Sequence, residues 1–324
     1  MVVKMDLVYD YLEKHLTFSK DEFECIRGIR ETETIIEDDF EQEHSRLLSF
    51  LPNDSLKTFQ LTVDTCATNI IDKLFEKYVD DDTLVITTGS EHHSVRNNLN
   101  KCKHVLQYVC HGKPREDIDL LNAIKPFKKI FVYMIALSVG DPHYLHNDVI
   151  MSIQRVLTLK GKEYITVLDA VQELFMLPRD YSLYDYVVGT SHALIPKYNM
   201  GMLFGKENIC YKAGNWVKDF NDKMEILMKR RDSLYLLNNV LKQHFAKFML
   251  YDDSLVDTSQ VPYVFNLADY KKRLVNLNDF DVEKGAVIPD TYTPVTFRAC
   301  PFAVLPEKFL ERIQIIDCIL SENE

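Results

Sequence analysis

Asp169, Gln172, Thr190, Ser191 and His192 bring a carboxylate, an amide, two hydroxyls and an imidazole close together in the chain. The run Y-I-T-V-L at residues 164–168 reads as a strand that ends at Asp169 and is followed by Gln172, so a carboxylate and an amide reach one sheet edge. A later stretch, D-Y-V-V-G-T-S-H-A-L-I-P-K-Y-N-M-G-M-L-F-G-K at residues 185–206, holds two short apolar runs, 186–188 and 200–204, that read as buried strands. Between them the hydroxyls of Thr190 and Ser191 and the imidazole of His192 form a polar turn suited to an anion. In open α/β sheets the carboxyl edge of the strands is where ligands bind.

The elements that must position these groups follow from the pattern. From Leu61 the signals alternate strand, helix, strand, helix, which predicts a parallel sheet covered on both faces. A helix is expected from Asp64 to about Tyr78, with Asp64, Thr65 and Cys66 at its start, where free N–H groups and the positive dipole end suit a phosphate; Asp64 or Thr65 reads equally well as a plain N-cap. Residues 83–88 form a strand running into G-S-E-H-H-S, which places His92 and His93 at its exit, and residues 128–135 form the next strand. A helix over 148–160 leads to the Asp169 strand by a right-handed crossover. Acid-rich helix is expected over 31–50, and a long helix over 220–249 carries a core stripe of Met224, Leu227, Leu234, Leu237, Leu241, Phe245 and Phe248. Strands at 263–267 and 287–289 and a closing helix over 306–320 complete the chain.

Composition bounds the rest. A chain of 324 residues with 46% apolar content can bury a full core and fill one large and one smaller domain. Seven scattered cysteines with no C-x-x-C pair predict reduced thiols and no zinc site. Acids near the N-terminus and short apolar runs give no support to export or membrane insertion, so a cytoplasmic protein with no membrane partner is expected. A net charge of -11 counts against nucleic acid as a partner, and Lys229, Arg230 and Arg231 read as a solvated helix face. The motifs G-x-x-x-x-G-K-(S/T), G-x-G-x-x-G and H-E-x-x-H are absent.

The pairing of D-x-x-Q with T-S-H-A-L-I-P-K-Y-N-M-G-M-L-F-G-K resembles the pyridoxal phosphate (PLP) enzymes of fold type I, the class V aminotransferase and cysteine-desulfurase-like group. That group typically reads S-G-H-K-L-Y-G-P-T-G-I-G-I-L-Y-G-K, which matches Thr190 to Lys206 without a gap. The resemblance implies an α/β fold: a PLP-binding large domain of mostly parallel sheet between helices, and a smaller C-terminal α+β domain. It divides the chain into an N-terminal helical segment over 1–60, the PLP-binding domain over 61–215, a bridging helix over 216–250 and the small domain over 251–324. It also implies a homodimer with sites near the subunit interface.

Residue by residue, the resemblance implies that His92 stacks on the cofactor ring and Asp169 pairs with its pyridine nitrogen, where the carboxylate keeps that nitrogen protonated. Gln172 donates to the ring oxygen, Thr190 and His192 bind the phosphate, and Thr65 and Cys66 stand in the phosphate loop. Arg298, in T-F-R-A-C-P-F, grips a substrate carboxylate. Taken alone, Asp169 reads as a helix N-cap, His92 as a loop residue and Arg298 as an ion-pair residue. Two departures stand out. Asp64 replaces a glycine, which puts a carboxylate beside the phosphate loop, and Ser138 stands near the place of an asparagine close to the ring oxygen. No cysteine lies between Cys210 and Cys300, which disfavours persulfide chemistry.

The Schiff-base lysine of the family falls on Ala193, and the nearest lysine is Lys197. Three explanations stand: a lysine-to-alanine change that traps a complex, a natural sequence that uses His192 or Lys197, or a protein that has stopped catalysing. The expected function is that of a transferase or lyase acting on the amino group or α-carbon of an amino acid or amine, with a lysine in place of Ala193 in the active form. The alternatives are an inactive PLP-binding or scaffold homologue and a phage PLP enzyme that modifies amino-acid-decorated thymine in DNA, against which the negative charge counts.

Overall fold

A computed structural model describes residues 19, 21–22, 25, 34–110, 113–138, 143–175, 178–191, 194–195 and 198–229, and strands at 266–268, 287–289 and 296–299. The chain divides into two compact units, one of Arg30–Ala193 with Asn199–Asn221, the other of Met1–Ile29, Leu194–Tyr198 and Asp222–Glu324.

The first unit is built on a seven-stranded sheet. Its strands are β1 (Gln60–Asp64), β2 (Thr83–Thr87), β3 (His104–Gln107), β4 (Lys129–Ile135), β5 (Glu163–Asp169), β6 (Tyr186–Thr190) and β7 (Gly201–Gly205). They lie in the order β1-β7-β6-β5-β4-β2-β3. Strands β3, β2, β4, β5 and β6 pair in parallel, and β7 runs antiparallel to both β6 and β1. The carboxyl ends of β1, β2, β5 and β6 therefore share one edge. Strands buried on both faces must be apolar throughout, and K-I-F-V-Y-M-I of β4 is buried after its first residue.

Helices α1 (Phe40–Leu48), α2 (Ala67–Tyr78), α3 (His93–Leu99), α4 (Asp117–Ala123) and α5 (Asn147–Leu159) belong to this unit, and α6 (Gly214–Met228) begins in it and continues into the other. Helix α2 buries Ile70, Ile71, Leu74 and Phe75, and α5 buries Val149, Ile150, Ile153 and Leu157, the stripe spacing that the 3.6-residue turn requires. From β2 the chain moves through α3 to β3 on one side, then returns through α4 to β4 on the other. The chain thus leaves β2 toward one side of the sheet and β4 toward the other, the kind of switch point at which open α/β sheets bind ligands.

The acid-rich helix expected over 31–50 is shorter, Phe40–Leu48. Residues 34–37 are not helical because Asn215 intercepts their backbone: its Oδ1 accepts the Ile36 N–H at 3.1 Å and its Nδ2 donates to the Thr34 carbonyl at 2.9 Å. Helix α6 begins at Gly214, earlier than the expected 220, and the expected stripe beyond residue 229 lies outside the described residues. The second unit includes an antiparallel sheet of β8 (Asn266–Ala268), β9 (Val287–Pro289) and β10 (Thr296–Ala299), with β10 in the middle. The expected closing helix over 306–320 lies outside the described residues. Among those residues no helix is long and apolar enough to cross a membrane.

Candidate active site

Register decides which side chains meet. Tyr133 pairs with Val167 and Ile135 with Asp169 across β4 and β5, and Val188 pairs with Asp169 across β5 and β6. Side chains alternate along a strand, so Tyr133, Asp169, Val188 and Thr190 stand on one face. Helices α2 and α3 cover that face, where Phe75, Val95, Phe131, Tyr133, Val167 and Val188 form one apolar cluster. At its carboxyl end the same face meets the start of α2, with Thr65 and Cys66, and the start of α3, with His92. Four segments named by the sequence are thereby brought to one edge.

Asp169, at the end of β5, is a buried acid at 4% exposure. Its Oδ1 accepts the Val171 N–H at 3.2 Å and its Oδ2 accepts the Tyr133 hydroxyl at 3.0 Å. Residues 171–175 form turns, so Asp169 caps no helix. Burial, against the two hydrogen bonds and helped by the nearby Glu91 and Glu173 charges, pushes its carboxyl up to about 6. Gln172 follows, half-buried in the turn. This turn is anchored by a buried ion pair: Arg179 makes two bonds to Glu173, the second at 3.0 Å, and donates to the Leu145 carbonyl at 2.6 Å and to Asn147 Oδ1 at 2.8 Å. The start of α5 and the Asp169 turn are thus fastened together.

His92 is the N-cap of α3, its ring nitrogen Nδ1 2.9 Å from Ser94 Oγ and accepting the Ser94 N–H. Its ring is exposed and lies 3.9 Å, centroid to centroid, from that of His93. The turn before it is held by Glu91, whose buried carboxylate accepts from the Thr88 N–H and hydroxyl, both at 2.6 Å, and from the Gly89 N–H at 3.0 Å. Gly89 has φ +82°, the left-handed region where glycine is at home.

At the start of α2 the Asp64 carboxylate is turned toward Lys73, 2.6 Å away, and Asn69, 3.0 Å away. Burial works to raise its pKa, but Lys73, Asn69 and the Thr65 N–H outweigh it and hold the carboxyl below its usual range. The Asp64 charge at the end of β1 is therefore balanced by Lys73 of α2. One consequence is that the Thr65 N–H, 2.7 Å from Asp64 Oδ1, is already engaged. Cys66, at the N-cap position, makes no side-chain cap bond. Gly201 explains how close this turn lies to the sheet, since a Cβ there would stand 2.5 Å from the Cys66 carbonyl and 2.6 Å from the Ala67 nitrogen.

Thr190 belongs to β6 rather than to the expected turn, because it pairs with Gly201 across β6 and β7. Its hydroxyl donates to the Met200 carbonyl at 3.2 Å, and Ser191 closes the turn by accepting the Met200 N–H at 2.9 Å. His192, Ala193 and Lys197 lie outside the described residues. Arg298 lies on β10, between Asn266 and Ile288, in the second unit. Tyr133 and Glu91 escaped the sequence reading as site residues. Their signal is a strand register and a turn, neither of which a single sequence displays.

No protein-family model and no curated protein matches the sequence. Solved structures do match. A NifS-like protein from Rickettsia africae is 12% identical over 95% of this chain and 98% of that one, with a TM-score of 0.64. The chain has the same fold. A ureidoglycine-glyoxylate aminotransferase from Bacillus subtilis, 11% identical, covers 94% and 90% at a TM-score of 0.62. A structure of SPT with PLP, 11% identical, covers 98% and 84% at 0.59. At these identities the likeness is one of fold, and the strand order, the antiparallel β7 and the smaller antiparallel sheet make it the α/β fold type I.

Proposed function

We propose that this chain binds PLP at the carboxyl edge of β1, β2, β5 and β6 and that its working form is a transferase or lyase acting on the amino group or α-carbon of an amino acid or amine. The observation that carries the reading is Asp169: a buried carboxylate, crowded by Glu91 and Glu173, whose charge is costly unless a cation joins it. A protonated pyridine nitrogen is such a cation. When bound, PLP supplies an electron sink for bonds broken at a substrate's α-carbon.

The chain's own residues then have separable tasks. Asp169 holds the proton on the ring nitrogen, and Tyr133 and Val171 fix the carboxylate that does so. His92, the N-cap of α3, would stack on the ring. The phosphate falls to the first turn of α2, where Cys66 and Ala67 offer backbone donors because the Thr65 N–H is committed to Asp64. Thr190 reaches the same edge with its proton on Met200, so its part is to be regained by rotation of the hydroxyl. Gln172 serves the ring oxygen, His192 the phosphate and Arg298 a substrate carboxylate. A homodimer, a cytoplasmic location and the division at residues 60, 215 and 250 complete the proposal.

A second reading rests on Ala193: with no amine at that position the chain binds PLP without covalent exchange. The two readings share the pocket and differ in the effect of a lysine at 193. Equilibrium dialysis with PLP and with unphosphorylated pyridoxal tests the pocket itself. Binding of PLP that weakens by at least about tenfold without the phosphate is expected; equal, weak binding of both contradicts it.

A further inference from the structure

Tyr133 belongs to no motif, yet it reaches the centre of the proposed site. On the parallel pair β4 and β5 it lies one strand across and two residues along from Asp169, a separation of roughly 8 Å that a long aromatic side chain spans. A phenylalanine there lacks the hydroxyl, and a serine is too short. The ring is fully buried, with Phe75 at 5.7 Å and Phe131 at 6.3 Å between centroids, so packing aims the hydroxyl at Asp169 Oδ2, 3.0 Å away.

The groups facing Asp169 divide by sign. Burial, Glu91 from the turn after β2 and Glu173 from the turn after β5 favour the neutral acid. The Val171 N–H and the Tyr133 hydroxyl favour the carboxylate. Removing one of the two donors leaves the remaining one against burial and two like charges.

We propose that Tyr133 is a positioning residue for the cofactor ring, its hydroxyl holding Asp169 as a carboxylate directed at the ring nitrogen of PLP. The inference rests on the PLP reading above. With Tyr133 in place the shared proton stays on the nitrogen, the state in which the ring withdraws electrons best. Without it the shared proton is drawn toward Asp169 and the nitrogen toward its neutral state.

Tyr133→Phe keeps the ring and its packing. In the cofactor-free chain, carbon-13 NMR of labelled aspartate carboxyls follows Asp169, its signal identified by loss in Asp169→Asn. The parent is expected to titrate at about 6, and Tyr133→Phe higher by about half a unit to one unit. With nitrogen-15-labelled PLP, the bound ring nitrogen is expected to give a protonated-type shift in the parent and to move toward neutral pyridine in the variant. Replacement of Tyr133 by 3-fluorotyrosine, a stronger donor, is expected to move both readouts the other way, which keeps the test intact if the phenylalanine variant folds poorly. An Asp169 midpoint or a ring-nitrogen shift that ignores both substitutions overturns the role of Tyr133 and leaves the cofactor reading standing. A parent chain that gives no bound-PLP signal overturns the cofactor reading, and this proposal with it.

Discussion

Replacing Asp169 by asparagine should stabilise the cofactor-free protein at neutral pH while removing the counter-charge assigned to it in the proposed PLP site. The native carboxyl titrates at about 6 against an ordinary 3.8. Between those values the folded chain keeps a proton that the unfolded chain has lost, so folding stability falls as pH rises through the window and levels off above about 6. The difference of about two units corresponds to about 3 kcal/mol at about pH 7.5, and to about 1 kcal/mol at about pH 4.5. Asparagine does not ionise, but it has one acceptor oxygen for the two donors, Tyr133 and Val171, and that mismatch costs about 1 kcal/mol. The net expectation is a gain of about 2 kcal/mol at about pH 7.5 and none at about pH 4.5. Urea denaturation of parent and variant at the two pH values measures it. A variant destabilised equally at both would mean that Asp169 is comfortably ionised without a cofactor, contrary to this expectation.

Two further substitutions probe the scaffold that presents the site. Arg179→Met leaves Glu173 charged and buried, at an expected cost of about 3–5 kcal/mol, and Glu173→Leu combined with it should recover much of that loss in the same denaturation assay. Gly201→Ala drives a methyl into the Cys66 and Ala67 backbone, so a loss of about 1–3 kcal/mol and weaker PLP binding are expected together. A stable Gly201→Ala protein with unchanged affinity would mean that the start of α2 is not where phosphate binds.

The sequence displayed what local pattern encodes. The strands around residues 83–88, 128–135 and 164–169 and the helices over 64–78 and 148–160 stand within a few residues of expectation, because each carries its own apolar period. Long-range contacts set the remainder. Residues 34–37 are held away from helix by Asn215, far along the chain, and Gly214, a poor helix former, opens α6 because a Cβ there would meet the Asp38 carbonyl at 2.0 Å. At the site, residue types marked Asp169, His92 and Thr190. The direction of the Asp64 carboxylate toward Lys73 and the reach of Tyr133 depend on side-chain packing across neighbouring elements.

The proposed PLP site is tested most directly by titrating the present chain and its A193K variant with PLP, reducing each with borohydride and mapping the labelled peptide by mass spectrometry. The expected result is reversible, noncovalent PLP in the present chain and a phosphopyridoxyl group at position 193 in A193K. A label at some other lysine in A193K, or no PLP bound by either protein, would contradict the assignment.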